Sequence, residues 1–227
     1  MAVQPGRELP PEEQDWHRFQ QLRQLHNHWQ RPGWAEGRRS YHWLLTFEHA
    51  SSLRTLAAQC QEPFRDLLQF DLIPLGSLHL TLHRLAFTDE LPESRLPAIV
   101  AAVRHRCRNL ESLRLRIGWL AASAGAIRFT ALPVAAIADV RNTVLGLTDL
   151  PGAQENTPAC TNDDDFWPHV SIVYSNTVQP AAAIAGKIEA LRYLPPAQVL
   201  VNSLALVELR RDGRAYWWDE VERVKFG

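Results

Sequence analysis

Two stretches, Ser77-Leu78-His79-Leu80-Thr81-Leu82 and Trp167-Pro168-His169-Val170-Ser171-Ile172, carry the same pattern: a histidine, an apolar residue, a hydroxyl residue and an aliphatic residue. No other histidine of the nine is followed in this way. Serine and threonine make up 20 of 227 residues, so chance alone supplies only about 0.3 such matches. Each motif sits in a segment of strand character, where residues two apart point to the same face. His79 then projects beside Thr81 and His169 beside Ser171, while Leu80 and Val170 enter a core.

Outward from these strands the chain has a regular grammar. Phe19, Leu22, Leu25 and Trp29 recur at helical spacing within residues 11–30, and the turn-rich Arg31-Pro32-Gly33-Trp34-Ala35-Glu36-Gly37 follows, so residues 1–39 read as an N-terminal helical arm. Residues 40–227 read as the main domain. Tyr41–Phe47 is predicted as a strand, 51–70 as a helix, 78–87 as the first motif strand, 94–109 as a helix, and Leu113–Ile117 with Ala126–Leu132 as a hairpin. The second half predicts a helix over 133–147, a polar loop over 151–165, the motif strand Val170–Tyr174, a helix over 180–191, and a hairpin of 199–209 with 215–224. The order implies an α+β chain of two related lobes.

Hydrophobic residues make up 46% of the chain, enough to bury a sizeable core. With 24 basic and 25 acidic residues the net charge is -1, which gives no general attraction to duplex DNA, so phosphate binding must be local. All basic residues but Lys187 and Lys225 are arginine, a choice that suits bidentate phosphate contacts or reflects codon bias. Cys60, Cys107 and Cys160 are odd in number and widely spaced, which points to a reducing cytoplasm and away from disulfides or zinc. Met1 to Pro11 lacks the apolar core of a signal peptide, and no segment is long and apolar enough to span a membrane. Phosphate-binding glycine loops, GxSxG and HExxH are absent.

Two imidazoles and two hydroxyls match the needs of phosphodiester cleavage. One histidine takes a proton from the attacking oxygen and the other protonates the leaving oxygen, since imidazole titrates near 6.5. The hydroxyls donate hydrogen bonds to the non-bridging oxygens. Neither a metal nor a cofactor is expected.

Over residues 41–226, on these two motifs, the sequence resembles the two-histidine (2H) phosphoesterases, in particular the bacterial 2',5' RNA ligase and cyclic phosphodiesterase branch. The resemblance implies a bilobal, pseudo-twofold fold in which two antiparallel-rich sheets face a central cleft with helices outside. It implies an enzyme that acts on 2',3'-cyclic phosphates or 2',5'-linked RNA and nucleotides, with His79 and His169 as acid and base and Thr81 and Ser171 as phosphate ligands; a monomer is the separate expectation. Ser171 stands where threonine is usual, and Tyr174 where many relatives carry arginine. The alternatives are a nucleotide- or RNA-binding protein without useful catalysis, or an enzyme recruited to a cyclic dinucleotide or a non-RNA phosphoester.

Further candidates have two readings each. Strand alternation puts His83 on the face of His79 and Thr81, either against substrate or as a strand-end histidine. Tyr41, Trp43 and Trp167 either stack on a base or pack as core. Tyr174 stacks on a base or bonds phosphate. Arg128 is the preferred phosphate contact, against a surface placement, and Arg84, Arg104, Arg106, Arg108, Arg114 and Arg116 make the first lobe locally basic. Asp163-Asp164-Asp165 lacks the alternating spacing of a calcium loop, and His26-Asn27-His28 reads as a solvated helix end.

Overall fold

The apolar alternation around the two motifs becomes one strand in each of two antiparallel sheets. In the computed structural model, residues 9–146 and 166–227 are described. In chain order the elements are α1 (Pro11–Gln20), β1 (Gln24–Leu25), β2 (Arg39–Thr46), α2 (Ser51–Gln61), β3 (Phe70–Leu72), β4 (His79–Phe87), α3 (Leu96–Cys107), β5 (Leu113–Ala122), β6 (Ala126–Leu132), α4 (Val134–Val144), β7 (His169–Ser175), β8 (Gln179–Pro180), α5 (Ala182–Leu191), β9 (Ala197–Val201), β10 (Ser203–Asp212) and β11 (Ala215–Lys225).

The first sheet has the order β11-β10-β2-β4 and the second β3-β7-β6-β5-β9; β1 and β8 form a separate pair. Each large sheet therefore holds one histidine motif, in β4 and in β7. Helix α2 packs on β5, β7 and β9, α3 on β11, and α4 spans β4 and β6. Their apolar faces meet residues such as Trp43, Leu45, Leu80, Phe129 and Val170 in one continuous buried core. On the other face of the first sheet, Leu44, Ala205, Val207 and Leu209 form a small second cluster beneath Trp34, Tyr216 and Trp218.

The helix predicted over 11–30 ends at Gln20. Beyond it the backbone donors go to the second sheet instead: His26 N–H bonds the Ala124 carbonyl at 2.5 Å, His28 N–H bonds the Ser175 carbonyl at 2.8 Å, and β1 pairs with β8. The helix predicted over 51–70 stops at Gln61, next to a short 3-10 turn at Glu62–Phe64 that contains Pro63; proline has no N–H to continue the helical ladder. The single strand expected over 199–209 is divided at Asn202. Its first part, β9, belongs to the second sheet and its continuation, β10, to the first. The polar loop, Cys160 and the Asp163-Asp164-Asp165 run lie outside the described residues.

Candidate active site

Strand register decides which side chains reach the cleft. His79 pairs with Thr46 and Thr81 with Leu44, so both motif side chains share the face of the small apolar cluster. In the second sheet His169 pairs with Thr130 and Ser171 with Arg128, which places these four on one face. Leu80, Val170 and Ile172 are buried, as the alternation requires.

Both histidines are held alike. Nδ1 of His79 lies 2.8 Å from the Ser77 carbonyl, and Nδ1 of His169 lies 2.8 Å from the Trp167 carbonyl. A carbonyl only accepts, so each neutral ring carries its proton on Nδ1 and keeps the Nε2 lone pair for chemistry. Burial pushes the pKa of His79 below 6.5, and its bond to Ser77 opposes the shift. His169 is pushed down to about 3, first by desolvation, then by Arg128, with His79 and Arg31 adding to it. Its side chain nevertheless remains open to solvent on the cleft side. Trp218 meets His79 edge to face, ring centroids 5.1 Å apart.

A β-bulge at each motif re-aims the residues beyond it. On β7 the register shifts so that Ile172 has no partner on β6, which brings Tyr174 to the Ser171 side. Burial pushes the pKa of the Tyr174 hydroxyl up and the Ser171 side chain opposes the shift, and the Tyr174 ring stacks on His28 at 3.7 Å and 19°. The buried Gln61 pins this bulge: its Nε2 donates to the carbonyls of Ile172 at 2.8 Å and Ile73 at 2.7 Å.

On β4 the register shifts twice, at Leu82 and at Leu85, and the first shift decides where His83 points. His83 therefore pairs with Trp43, a core residue, and not on the face of His79 and Thr81 as simple alternation predicts. Burial, Arg141 and Arg84 push its pKa down to about 4. His42, on the cleft face, takes the place expected of His83: it feels the charges of Arg84, His79 and Arg31, and its Nε2 bonds Ser40 Oγ at 2.8 Å. Tyr41 and Trp43 belong to the core face, so neither is presented to the cleft for stacking.

The N-terminal segment contributes more than its sequence suggests. Helix α1 crosses β5 and β6 and buries Asp15, which accepts from Arg128 Nη2 at 2.6 Å and from Thr130 Oγ1 at 2.7 Å. Arg128 thus stands beside Ser171 but is buried and already paired, neither a surface residue nor a free cation. Its Nε and Nη1 have no partner. Arg18 covers a face of the half-buried Trp167 at 4.0 Å. His28, far from solvated, is buried among Tyr174, Trp29 and Tyr216.

Sequence reading missed Asp15, His28, Arg31, His42, Tyr216 and Trp218. Of these only the aromatic residues left a signal, in the consecutive Tyr216-Trp217-Trp218 of the last hairpin. A cavity of about 390 Å³ bounded by Thr46, His49, Ser52, Gln198, Asn202 and Arg223 contains neither motif histidine. Among the described residues, no group of three His, Cys, Asp or Glu side chains is assembled to hold a metal, and no helix is long and apolar enough to cross a membrane.

A family model described as the 2'-5' RNA ligase superfamily matches residues 51–213, well over half of the chain and both motifs. The chain belongs to the 2'-5' RNA ligase superfamily. Solved structures share the fold of this superfamily member. Escherichia coli LigT in its apo form matches with a TM-score of 0.60 at 10% identity, covering 84% of this chain and 99% of that one. LigT complexed with 3'-AMP matches at 0.58 and 12%, covering 83% and 98%. TT0787 of Thermus thermophilus matches at 0.54 and 21%, covering 83% and 97%. No curated protein matches the sequence. The arm, α1 and β2 precede the residues matched by the family model.

Proposed function

We propose that this protein is a phosphodiesterase that opens 2',3'-cyclic phosphates or cleaves 2',5'-linked RNA or nucleotide diesters by two-histidine acid-base catalysis, without a metal. The observation that carries the reading is the matched pair of carbonyl-oriented imidazoles, each beside a hydroxyl, converging from the two sheets. The solved complex of LigT with 3'-AMP adds nucleotide binding in a protein of the same fold.

The surroundings divide the labour between the rings. His169, beside Arg128 and under the charge of His79 and Arg31, is disfavoured as a cation and suits the base. His79, with no arginine among the causes of its shift, holds a proton more readily and suits the acid. Nε2 of His169 takes a proton from water as its oxygen bonds to phosphorus. The phosphorus–oxygen bond to the ribose breaks, and Nε2 of His79 delivers a proton to the departing alkoxide. One water is consumed and a monoester is formed. Thr81 and Ser171 donate to the non-bridging oxygens.

The test is a product-resolved assay with nucleoside 2',3'-cyclic phosphates, 2',5'-linked dinucleotides and cyclic dinucleotides, with and without chelator. Turnover that survives chelation and falls at least ~100-fold in both His79→Ala and His169→Ala is expected. Chelator-sensitive turnover, or unchanged turnover in both variants, overturns the mechanism. Product-free binding of the same nucleotides by the wild type identifies a binding protein instead.

A further inference from the structure

The N-terminal segment both closes off one cleft cation and introduces another. Arg128, whose strand register places it next to Ser171, is bound by Asp15 of α1. Arg31 is solvent-exposed and, among the described residues, has no carboxylate partner. Its contacts are Nε to the His28 carbonyl at 3.3 Å and Nη2 to His28 Nδ1 at 3.1 Å. These use two of its five N–H donors.

The position of Arg31 is fixed by the cleft itself. His28 is clamped against Tyr174, and its Nδ1 lies 3.3 Å from where a Cβ on Gly125 would sit. The turn after Arg31 closes through Trp34 N–H to the Arg31 carbonyl at 3.3 Å, with Gly33 at φ 81°. The charge of Arg31 acts on His42 of the first sheet and on His169 and Tyr174 of the second. It also acts on Tyr216 of the last strand. Through His28 this guanidinium is tied to Tyr174 of the second sheet and Tyr216 of the first, whose rings lie 3.7 and 5.6 Å from that of His28. Because Nη2 of Arg31 donates to Nδ1, His28 must remain neutral; burial and then Arg31 itself push its pKa down to about 2.

We propose that Arg31 is a binding residue for the non-bridging phosphate oxygens of the substrate, presented to the motif hydroxyls by the His28–Tyr174 stack. The proposal rests on the phosphoesterase reading of the same cleft. A charge-assisted bond from an exposed, pre-oriented guanidinium to phosphate is strong and geometrically selective, and lysine replaces it only in part. The N-terminal segment thereby becomes part of the binding site, although it precedes the residues matched by the family model.

Calorimetric titration of the full chain with 3'-AMP, inorganic phosphate and adenosine tests it, using wild type, Arg31→Gln, Arg31→Lys and a Thr81→Ala/Ser171→Ala double variant. Arg31→Gln is expected to weaken 3'-AMP and phosphate about 10- to 100-fold and leave adenosine unchanged, with Arg31→Lys in between. Wild-type affinity for 3'-AMP in Arg31→Gln, with the double variant impaired, overturns the role of Arg31 and leaves the phosphoesterase reading standing. Equal weakening of adenosine and 3'-AMP also overturns it, because the effect then lies in packing. A wild type that binds neither phosphate probe and turns over no diester removes both proposals together.

Discussion

The two motif strands present the same local geometry in unlike surroundings. On β4 and on β7 alike, the histidine Nδ1 meets a carbonyl two residues earlier at 2.8 Å. Around His79 the cross-strand partner is Thr46 and Trp218 stands at the ring edge, and no arginine enters among the causes of its shift. Around His169 the neighbours are polar and charged: Arg128 with Asp15, Thr130, and the Tyr174–His28 stack. Backbone geometry sets tautomer and aim, which the strands share. Neighbouring charge sets proton affinity, which they do not. In the proposed mechanism the difference separates a base from an acid within a near-symmetric frame.

The largest effect expected from that asymmetry concerns the leaving group. An aryl phosphodiester whose nitrophenolate departs without protonation should return His79→Ala to within about 10-fold of wild type, while His169→Ala stays at least ~100-fold impaired. Steady-state rates with the two substrates check this, and rescue of His169→Ala instead would exchange the two roles.

The second effect is on stability and is confined to the β7 side. Asp15→Asn leaves Arg128 buried without a carboxylate and should cost about 3–5 kcal/mol, measured by denaturant unfolding. Gln61→Leu removes the side-chain donor at the Ile172 bulge and should cost about 1–3 kcal/mol while weakening the order of the Tyr174 ring. Trp218→Phe on the β4 side keeps an aromatic edge near His79 and should fall below either.

The pH dependence sharpens the comparison further. Protonation of His169 removes the base, so the acidic limb of kcat/KM should lie well below 6.5, in line with its lowered pKa. Deprotonation of His79 removes the acid, and its limb should move upward in kcat because bound phosphate favours the imidazolium. Stability has its own signature. His28 and His42 have folded pKa values near 2 and 3, below the unfolded value near 6.5, so the unfolded chain binds protons first as pH falls. Their contribution to stability is complete above about 6.5 and is lost progressively as pH falls from there towards the folded values. Thermal melts between pH 7 and 4 should fall less steeply for His28→Asn than for wild type.

The residues that carry chemistry in this reading were largely legible because their spacing is short. His79 with Thr81 and His169 with Ser171 obey the period of a strand before either bulge intervenes. Past Leu82 and Ile172 that period fails: one unpaired residue reverses the side chains after it, which moves His83 to the core face and Tyr174 to the cleft, and on β4 a second at Leu85 reverses them again. Nothing in the sequence marks those insertions, because they depend on Gln61 and on partner strands far away in the chain. Likewise, Phe19, Leu22, Leu25 and Trp29 keep helical spacing to residue 29, yet β8 and the Ser175 and Ala124 carbonyls take the backbone donors after Gln20.

By itself the sequence determined the α+β class, the two motif strands and the apolar positions beneath them, because periodicity and local residue chemistry act over a few residues. Only the tertiary structure decided that Asp15 occupies Arg128 and that His28 stacks on Tyr174. Those contacts join residues more than a hundred positions apart, and they form where burial makes an unpaired charge costly, a condition that exists only after the chain has folded.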